Sequence, residues 1–431
     1  MKRRLLEFIC CPTCSGDLKL TAFSEERVQT SNAEAEDPGG AGGWETVVQE
    51  GCLTCSRCKL WYAILDYVPV LLTFPTKIQQ RFAGKHEERL RELSGYRMPN
   101  GKPERGEESV QATFSDEWKQ ISQDDLSFLF TAEDLVELNR HVWLGPLQKT
   151  RDEFKTVLNI GVGRGQETIA VQKAIGNAEI IAADLNFSLL QSGRLHRTTP
   201  RFHLVIASLF HLPLRRSSFD VVYSQGVLHH TCSTRAAFDC IADFVRPGGH
   251  LFIWVYALDS HLIPKGFKGA ALRTMRHLEG ILRPVLSRSP KLARDLVFAS
   301  LTAMLHPLIK TTVLHRDKWK LHNTNHGLRD WLSPRYAHRH SYNQVLEWFE
   351  QRGFAISGLQ SPAAYRRLFG KQLYGVGLLG QRGPCVSIDA EDAVCEEYRV
   401  RAAESKFSRG GDARTARPAA RALEGFYHGA E

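Results

Sequence analysis

At 431 residues and 43% hydrophobic content, the chain can bury a full domain core and carry at least one smaller module beside it. Its net charge of +9 is a modest excess for this length, permitting a nucleic-acid or anionic-surface partner without requiring one. No stretch reads as a membrane span. In the opening MKRRLLEFICCP, Glu7 interrupts an apolar run already too short for a signal-peptide core, so a cytoplasmic protein is expected.

Six of the ten cysteines fall within the first 58 residues, as CCPTC and CLTCSRC. Cys11-Pro-Thr-Cys14 and Cys55-Ser-Arg-Cys58 each leave the two-residue gap that lets both thiolates reach one tetrahedral ion from a tight turn. The pattern predicts a structural zinc with four protein ligands and no open position for catalysis. Disulfides would need an oxidising compartment that nothing else in the sequence supports. Cys10 and Cys52 read as spare thiols, either of which could replace a neighbouring ligand, and NAEAEDPGGAGG (32–43) as a flexible insertion. With the paired cysteines, Tyr62, Ile64, Asp66, Pro69 and Leu71-Leu72 carry a resemblance to the zinc-ribbon family of the small subunit that activates tRNA, rRNA and release-factor methyltransferases. Tyr67 stands where that family commonly has glycine, so the turn there lacks its usual residue.

A ribbon-like domain is therefore expected over 1–75 and a linker over 76–112, because 84–109 is dense in charge and turn formers. TFSDEWKQI and LSFLFTAEDLVELNRHVWLGPL then show helical spacing and predict helices packed in front of the first strand of a main domain, which begins at 113. Phe114 and Trp118, one helical turn apart, read as a core contact, with a cover over a cofactor as the alternative.

In LNIGVGRGQET (158–168) an apolar strand runs into a glycine loop and then a helix, the layout of a nucleotide site at a topological switch point. Gly161 and Gly163 are followed by Gly165, while Gln166 holds the sixth position, so the dinucleotide fingerprint is not met. AEIIAAD ends a short buried strand in Asp184, about twenty residues after the loop, where a carboxylate can accept both ribose hydroxyls. FHLVIAS gives a third strand, and HLPLRRSSFDVVYSQGVLHH contains an LP turn, an FD pair and a fourth. TRAAFDCIADFVRPGGHLFIWVY places Ala237, Ile241, Phe244 and Val245 near one helical face, stops at Pro247-Gly248-Gly249 and enters a fifth strand.

This order of elements resembles class I S-adenosylmethionine-dependent methyltransferases, in particular the type 11 methyltransferase domain, over roughly residues 150 to 257 with a return near the C-terminus. The resemblance implies an α/β, Rossmann-like sheet of seven strands with the last antiparallel. It also implies S-adenosyl-L-methionine as cofactor, held by Asn159, Gly161, Gly163, Gly165, Asp184, Leu185, Ser208, Leu209 and Ser224. Asn159 stands where the family usually has an acid, Val162 where cysteine or another small residue is frequent, and Ser208 where an Asp commonly bonds the adenine amino group. Asn159 and Ser208 still offer neutral oxygens.

The first part of the methyltransferase core is expected to end at 257 and a basic helical insertion to fill 258–340. From Leu262 to His340 the chain holds about fifteen Lys or Arg against four acids, and eight of the seventeen histidines fall between His261 and His340. Following the fifth strand, it reads as a lid or acceptor-recognition subdomain, or equally as a solvated helical cap. Asp295 to Ile309 is apolar but broken by His306 and Pro307, which argues for packed helices over a span and also fits an amphipathic surface helix touching lipid. Trp319 and Trp331 could stack on a nucleotide-bearing acceptor. The core resumes over 341–382, with a helix opened by Ser341 and closed by Gly353 and then strands in FAISGLQ and QLYGVGLLGQR; 383–431 reads as disordered.

A sulfonium methyl group is already activated and transfers by in-line displacement, so the protein mainly positions both reactants and needs a base only for a protonated acceptor. His229 and His230 follow the fourth strand near the expected acceptor, and the second matches a histidine frequent in small-molecule O-methyltransferases of this type. His230 is the candidate base with His229 beside it; the competing reading has one or both holding the loop or touching the cofactor. Cys232 and Cys240 have no activating pattern nearby. The expected function is methyl transfer to an O or N atom of a small-molecule, glycan or natural-product acceptor. One alternative is an RNA or translation-factor methyltransferase with the ribbon as activator in cis and RNA on the basic insertion, although SQGV at 224–227 lacks the NPPY-type motif for planar nitrogens. A non-catalytic scaffold, prompted by Asn159 and Ser208, is the other.

Overall fold

The paired-cysteine turns carry a four-stranded antiparallel meander: β1 (Lys19–Gln29), β2 (Trp44–Cys55), β3 (Leu60–Leu65) and β4 (Val68–Pro69), adjacent in that order. The computed structural model describes residues 1–30, 43–119, 126–127, 129–258, 266–360, 362–370 and 375–383, so residues 32–42 of the glycine-rich insertion and 384–431 of the tail lie outside the described residues. The β3–β4 turn uses two left-handed residues, Asp66 (φ 47) and Tyr67 (φ 69), a geometry whose twist matches the flanking strands. Tyr67 thus takes up the strained backbone that glycine would supply. Its side chain offsets the cost: the hydroxyl donates to Glu26, and the Arg197 guanidinium lies 6.0 Å from the ring centroid.

The charge-dense segment after the meander is partly helical. α1 (Lys77–Lys85) starts at a reciprocal cap between Thr76 and Gln79, and α2 (Glu87–Arg91) follows it. Phe82 packs with Cys52, Trp61 and Ala63, which makes this segment an extension of the ribbon core. A few apolar residues suffice because the ribbon supplies the opposing face.

After α3 (Glu107–Trp118) and α4 (Ala132–Leu138), the chain alternates β5 (Thr156–Ile160), α5 (Gln166–Ile175), β6 (Glu179–Asp184), α6 (Leu189–His196) and β7 (Phe202–Ile206). β8 (Phe219–Gln225), α7 (Thr234–Ala242) and β9 (Val245–Tyr256) complete the parallel part. The insertion contributes α8 (Phe267–Leu286), α9 (Lys291–Thr312) and α10 (Leu321–Leu332); α11 (Tyr342–Gln351), β10 (Phe354–Leu359), α12 (Pro362–Phe369) and β11 (Gly375–Arg382) close the fold. Spatial order is β10-β11-β9-β8-β5-β6-β7, with β11 antiparallel to both neighbours. This is the seven-stranded methyltransferase sheet. β5 pairs in parallel with β6 and β8, so the chain reverses direction across β5 and opens a crevice at the C-terminal ends of these strands.

The edge strand β7 does not stand bare. The Leu71 amide donates to the Ile206 carbonyl at 2.8 Å, and Val68, Val70, Leu72 and Phe74 pack with Leu189, Leu204 and Ile206. A Cβ at Gly193 of α6 would lie 2.2 Å from the Asp66 carbonyl oxygen, so only glycine lets the ribbon turn approach this closely.

Asp220 pins the start of β8 to that of β5. Its Oδ2 accepts from the Lys155 and Thr156 amides, both at 2.8 Å, and its Oδ1 from Arg246 at 2.5 Å. Burial alone would raise this carboxyl, but the guanidinium and the amides outweigh it and hold the group below its usual range. Asp220→Ala leaves both amides unpaired and should cost about 2–3 kcal/mol in urea denaturation near neutral pH. A depressed carboxyl stabilises above the ordinary carboxylate range and stops doing so as pH falls through its lowered value, so the deficit should shrink in acid.

Candidate active site

The Sγ atoms of Cys11, Cys14, Cys55 and Cys58 lie within 4.8 Å of one another, with Cys14 and Cys55 at 3.5 Å. Thiolates about 2.3 Å from a tetrahedral zinc would be spaced about 3.8 Å apart, so the four residues fit that ion. Tyr62, buried beneath them, places its hydroxyl 3.3 Å from Cys11 Sγ, an outer partner of the kind that orients a ligand. Cys10 and Cys52 stand apart from the cluster, and burial pushes their thiols up to about 11 and about 12, away from the thiolate a metal needs.

At the end of β5, Gly161, Gly163 and Gly165 all adopt positive φ (80, 57 and 94). The Gly163 amide donates to Asp184 Oδ2 at 2.8 Å and the Asn186 amide to Oδ1 at 2.9 Å. Burial raises the Asp184 carboxyl, and these amides oppose the shift. The carboxylate lines the cavity beside the glycine loop, where a ribose anchor belongs. From this loop opens a cavity of about 1370 Å³, beyond the roughly 300–1,000 Å³ of an ordinary small-molecule pocket and ample for a cofactor with an acceptor.

Of the expected cofactor set, Gly161, Gly163, Asp184, Leu185 and Leu209 line the cavity. Asn159, Gly165, Ser208 and Ser224 lie behind its wall with local partners instead. Asn159 Nδ2 donates to Thr168 at 2.9 Å, Ser224 Oγ to the Ile160 carbonyl at 3.3 Å, and Ser208 Oγ accepts from the Phe210 amide at 3.2 Å. Gly165 serves as the turn into α5. Phe114 and Trp118 face the cavity and not the core, so the cover is the reading that the geometry favours; a Cβ on Gly163 would meet the Trp118 ring at 2.8 Å.

His230 lines the same cavity while His229 sits behind it, its ring against Tyr256 with centroids 3.9 Å apart. His230 Nδ1 lies 2.8 Å from the Tyr336 carbonyl, so Nδ1 carries the proton and Nε2 keeps the lone pair. Burial pushes this imidazole down to about 4, leaving it neutral near pH 7. Its Nε2 faces Asp330 Oδ1 at 3.9 Å, and the Tyr256 hydroxyl donates to Asp330 Oδ2 at 2.8 Å. Beside them the buried Glu117 lies 3.2 Å from His326 Nδ1; burial first, then the Asp330 charge, push its carboxyl well up. Glu167 accepts from the Tyr223 hydroxyl at 2.9 Å on the cofactor side of the cavity, and burial pushes it up to about 8. Sequence reasoning passed over all three acids. Glu167 had a signal, since it opens the helix right after the glycine loop, whereas Glu117 and Asp330 reach the site from distant helices without any motif.

Fold and site together define a methyltransferase architecture fused to a zinc-ribbon-like module. Residues 158–253 match the methyltransferase domain family and residues 2–66 the Trm112p-like protein family. Among curated proteins the chain is 31% identical over 104 residues to ubiquinone biosynthesis O-methyltransferase of Hydrogenovibrio crunogenus, covering 23% of this chain and 42% of that protein. It is 29% identical over 108 residues to malonyl-[acyl-carrier protein] O-methyltransferase of Xylella fastidiosa, covering 25% and 36%. The match thus spans less than half the length of either relative. A solved complex of the Haloferax volcanii Trm112 methyltransferase activator with a methyltransferase aligns at TM-score 0.37 and 12% identity, over 64% of this chain and 99% of that one.

Cys14→Ser should lower the zinc content by elemental analysis from about one ion per chain toward zero and lower the melting temperature of the whole protein. Acid should destabilise independently of the metal. Burial holds His196, His230, His326 and His340 at about 4 in the fold, so the unfolded chain takes up protons first. Stability should fall as pH drops from 6.5 toward 4, by up to about 1.4 kcal/mol per pH unit for each of His196, His230 and His326 and by less for the part-exposed His340, in denaturant titrations across that range.

Proposed function

We propose that this chain is an S-adenosylmethionine-dependent methyltransferase that methylates a hydroxyl oxygen of a small-molecule acceptor. The observation that carries the reading is a cavity lined both by the Gly161–Gly163 loop with Asp184 and by His230, whose Nε2 is unprotonated. S-adenosylmethionine supplies, when bound, a methyl group already activated on a sulfonium. Asp184 would accept the ribose hydroxyls of the cofactor, Leu185 and Leu209 would give it apolar contacts, and the glycines would let the backbone approach it closely. Phe114 and Trp118 cover the reactants and exclude water.

His230 Nε2 takes the acceptor proton as the oxygen attacks. The Tyr336 carbonyl holds Nδ1–H and thereby the ring orientation, while Asp330, itself held by Tyr256, stands ready to steady the imidazolium. Both relatives are named as O-methyltransferases, which supports oxygen as the acceptor atom. In this reading the ribbon, 1–75, is an activator supplied in cis, and the insertion, 258–340, recognises the acceptor.

Calorimetric titration with S-adenosylmethionine tests the cofactor half: micromolar binding is expected, weakened at least about tenfold by Asp184→Ala, and no binding by folded, zinc-loaded protein refutes the reading. His230→Ala should lower kcat by about 10²–10⁴ with cofactor affinity unchanged. With the base lowered to about 4, kcat/KM should show no histidine limb near pH 6.5, only a fall toward pH 4.

A further inference from the structure

The insertion carries a surface that methyl transfer does not use. On α8 the exposed Leu278, Ile281, Leu282 and Val285 recur at i, i+3, i+4 and i+7 and share one face. On α9, Leu292, Leu296, Met304 and Leu308 fall at multiples of four residues and are each more than 60% exposed. Neighbouring faces of both helices are already occupied: Leu286 of α8 and Phe298, Leu301 and Leu305 of α9 pack with Leu328 and Leu332 of α10. These apolar stripes therefore face outward because of how the insertion packs. Exposed apolar area on this scale marks a surface that meets something.

Charge says what it meets. Between Phe267 and Thr312 there are eight Lys or Arg and two acids, and both acids are engaged within the protein: Glu279 with Arg283 and Arg339, Asp295 with Arg329. Arg273, Arg288 and Lys310 are exposed. A second copy of the chain would bring like charge against like. Anionic lipid satisfies both features, since acyl chains take the apolar stripes and headgroups take the cations.

The C-terminal end of α9 adds a direction. Leu308, Ile309 and Thr311 line the cavity that holds His230, so the apolar track along α9 begins at Leu292 and ends in the cavity wall. We propose that α8 and α9 rest on an anionic membrane surface and that the acceptor is a lipophilic molecule entering the cavity from the bilayer past Leu308. The second half of this proposal rests on the methyltransferase reading above; the first does not.

The test is flotation of full-length, zinc-loaded protein with phosphatidylcholine vesicles, with and without phosphatidylglycerol, beside Ile281→Glu/Val285→Glu and Leu292→Glu/Leu296→Glu. Binding is expected only with phosphatidylglycerol, weakened by added salt and by about tenfold or more in each double variant. Because all four positions are exposed, the variants should keep the native melting temperature and S-adenosylmethionine affinity. No vesicle binding by protein that still binds cofactor overturns the membrane proposal alone. Equal binding by native and variant proteins, or a native dimer in sedimentation that the variants abolish without any lipid binding, overturns it as well. Vesicle binding without cofactor binding supports the docking surface and removes the acceptor half.

Discussion

The close contact between Gly161 and Val227 sets the distance on which the site depends. A Cβ at Gly161 would lie 1.9 Å from Val227 Cγ2, so the glycine loop after β5 and the loop after β8 touch without an intervening side chain. The Val227 carbonyl in turn accepts from the His230 amide at 2.9 Å, which starts the short turn bearing the candidate base. On the other side the Gly163 amide is tied to Asp184. One loop of left-handed glycines thus locates the ribose anchor and the base relative to each other. Any side chain at Gly161 would move both, in a site where an ångström of misplacement costs orders of magnitude in rate.

The acceptor end is built differently, from segments far apart in sequence. The insertion returns to the sheet beside β9: the His340 amide donates to the Tyr256 carbonyl at 2.9 Å, the Leu258 amide to the His340 carbonyl at 2.8 Å, and the His338 amide to the His229 carbonyl at 2.9 Å. His229 is therefore an anchor for the return strand through its backbone and for Tyr256 through its ring. This docking brings Tyr336 against His230 and seats Asp330 where burial raises its carboxyl. Residues of the insertion thus line the cavity, as a lid or acceptor-recognition subdomain would.

What the sequence disclosed follows the range of the interactions. The glycine loop and the paired cysteines rest on patterns a few residues long and were readable directly, whereas the seven-stranded sheet with its antiparallel last strand came through the family resemblance that those patterns carry. Asn159 and Ser208 looked like weakened cofactor contacts because their positions match those of family residues. Their local partners, Thr168 and the Phe210 amide, depend on side-chain direction, which position does not reveal. The helices at 77–91 escaped because their stabilising surface belongs to the ribbon, with Phe82 as the main anchor in an otherwise polar stretch. Asp330 and Glu117 were out of reach for the same reason: their meaning lies in what folds against them.

The ribbon's attachment follows from the sheet. β7 is an edge strand buried on both faces, with Phe202, Leu204 and Ile206 on one and Val205 and His203, which pairs with Glu179, on the other. Left bare, it would expose those residues and a row of unpaired amides. Residues 68–74 cover it, and Met1, Leu5, Ile9 and Leu53 join one apolar cluster with Leu158, Val205 and Leu214 of the main domain. A module of this size has too little core to hold its shape alone, so the thiolate cluster and the methyltransferase sheet stabilise it from opposite sides. An ion held by the four cysteines would therefore bear on the methyltransferase fold through β7, whose neighbour β6 ends in Asp184.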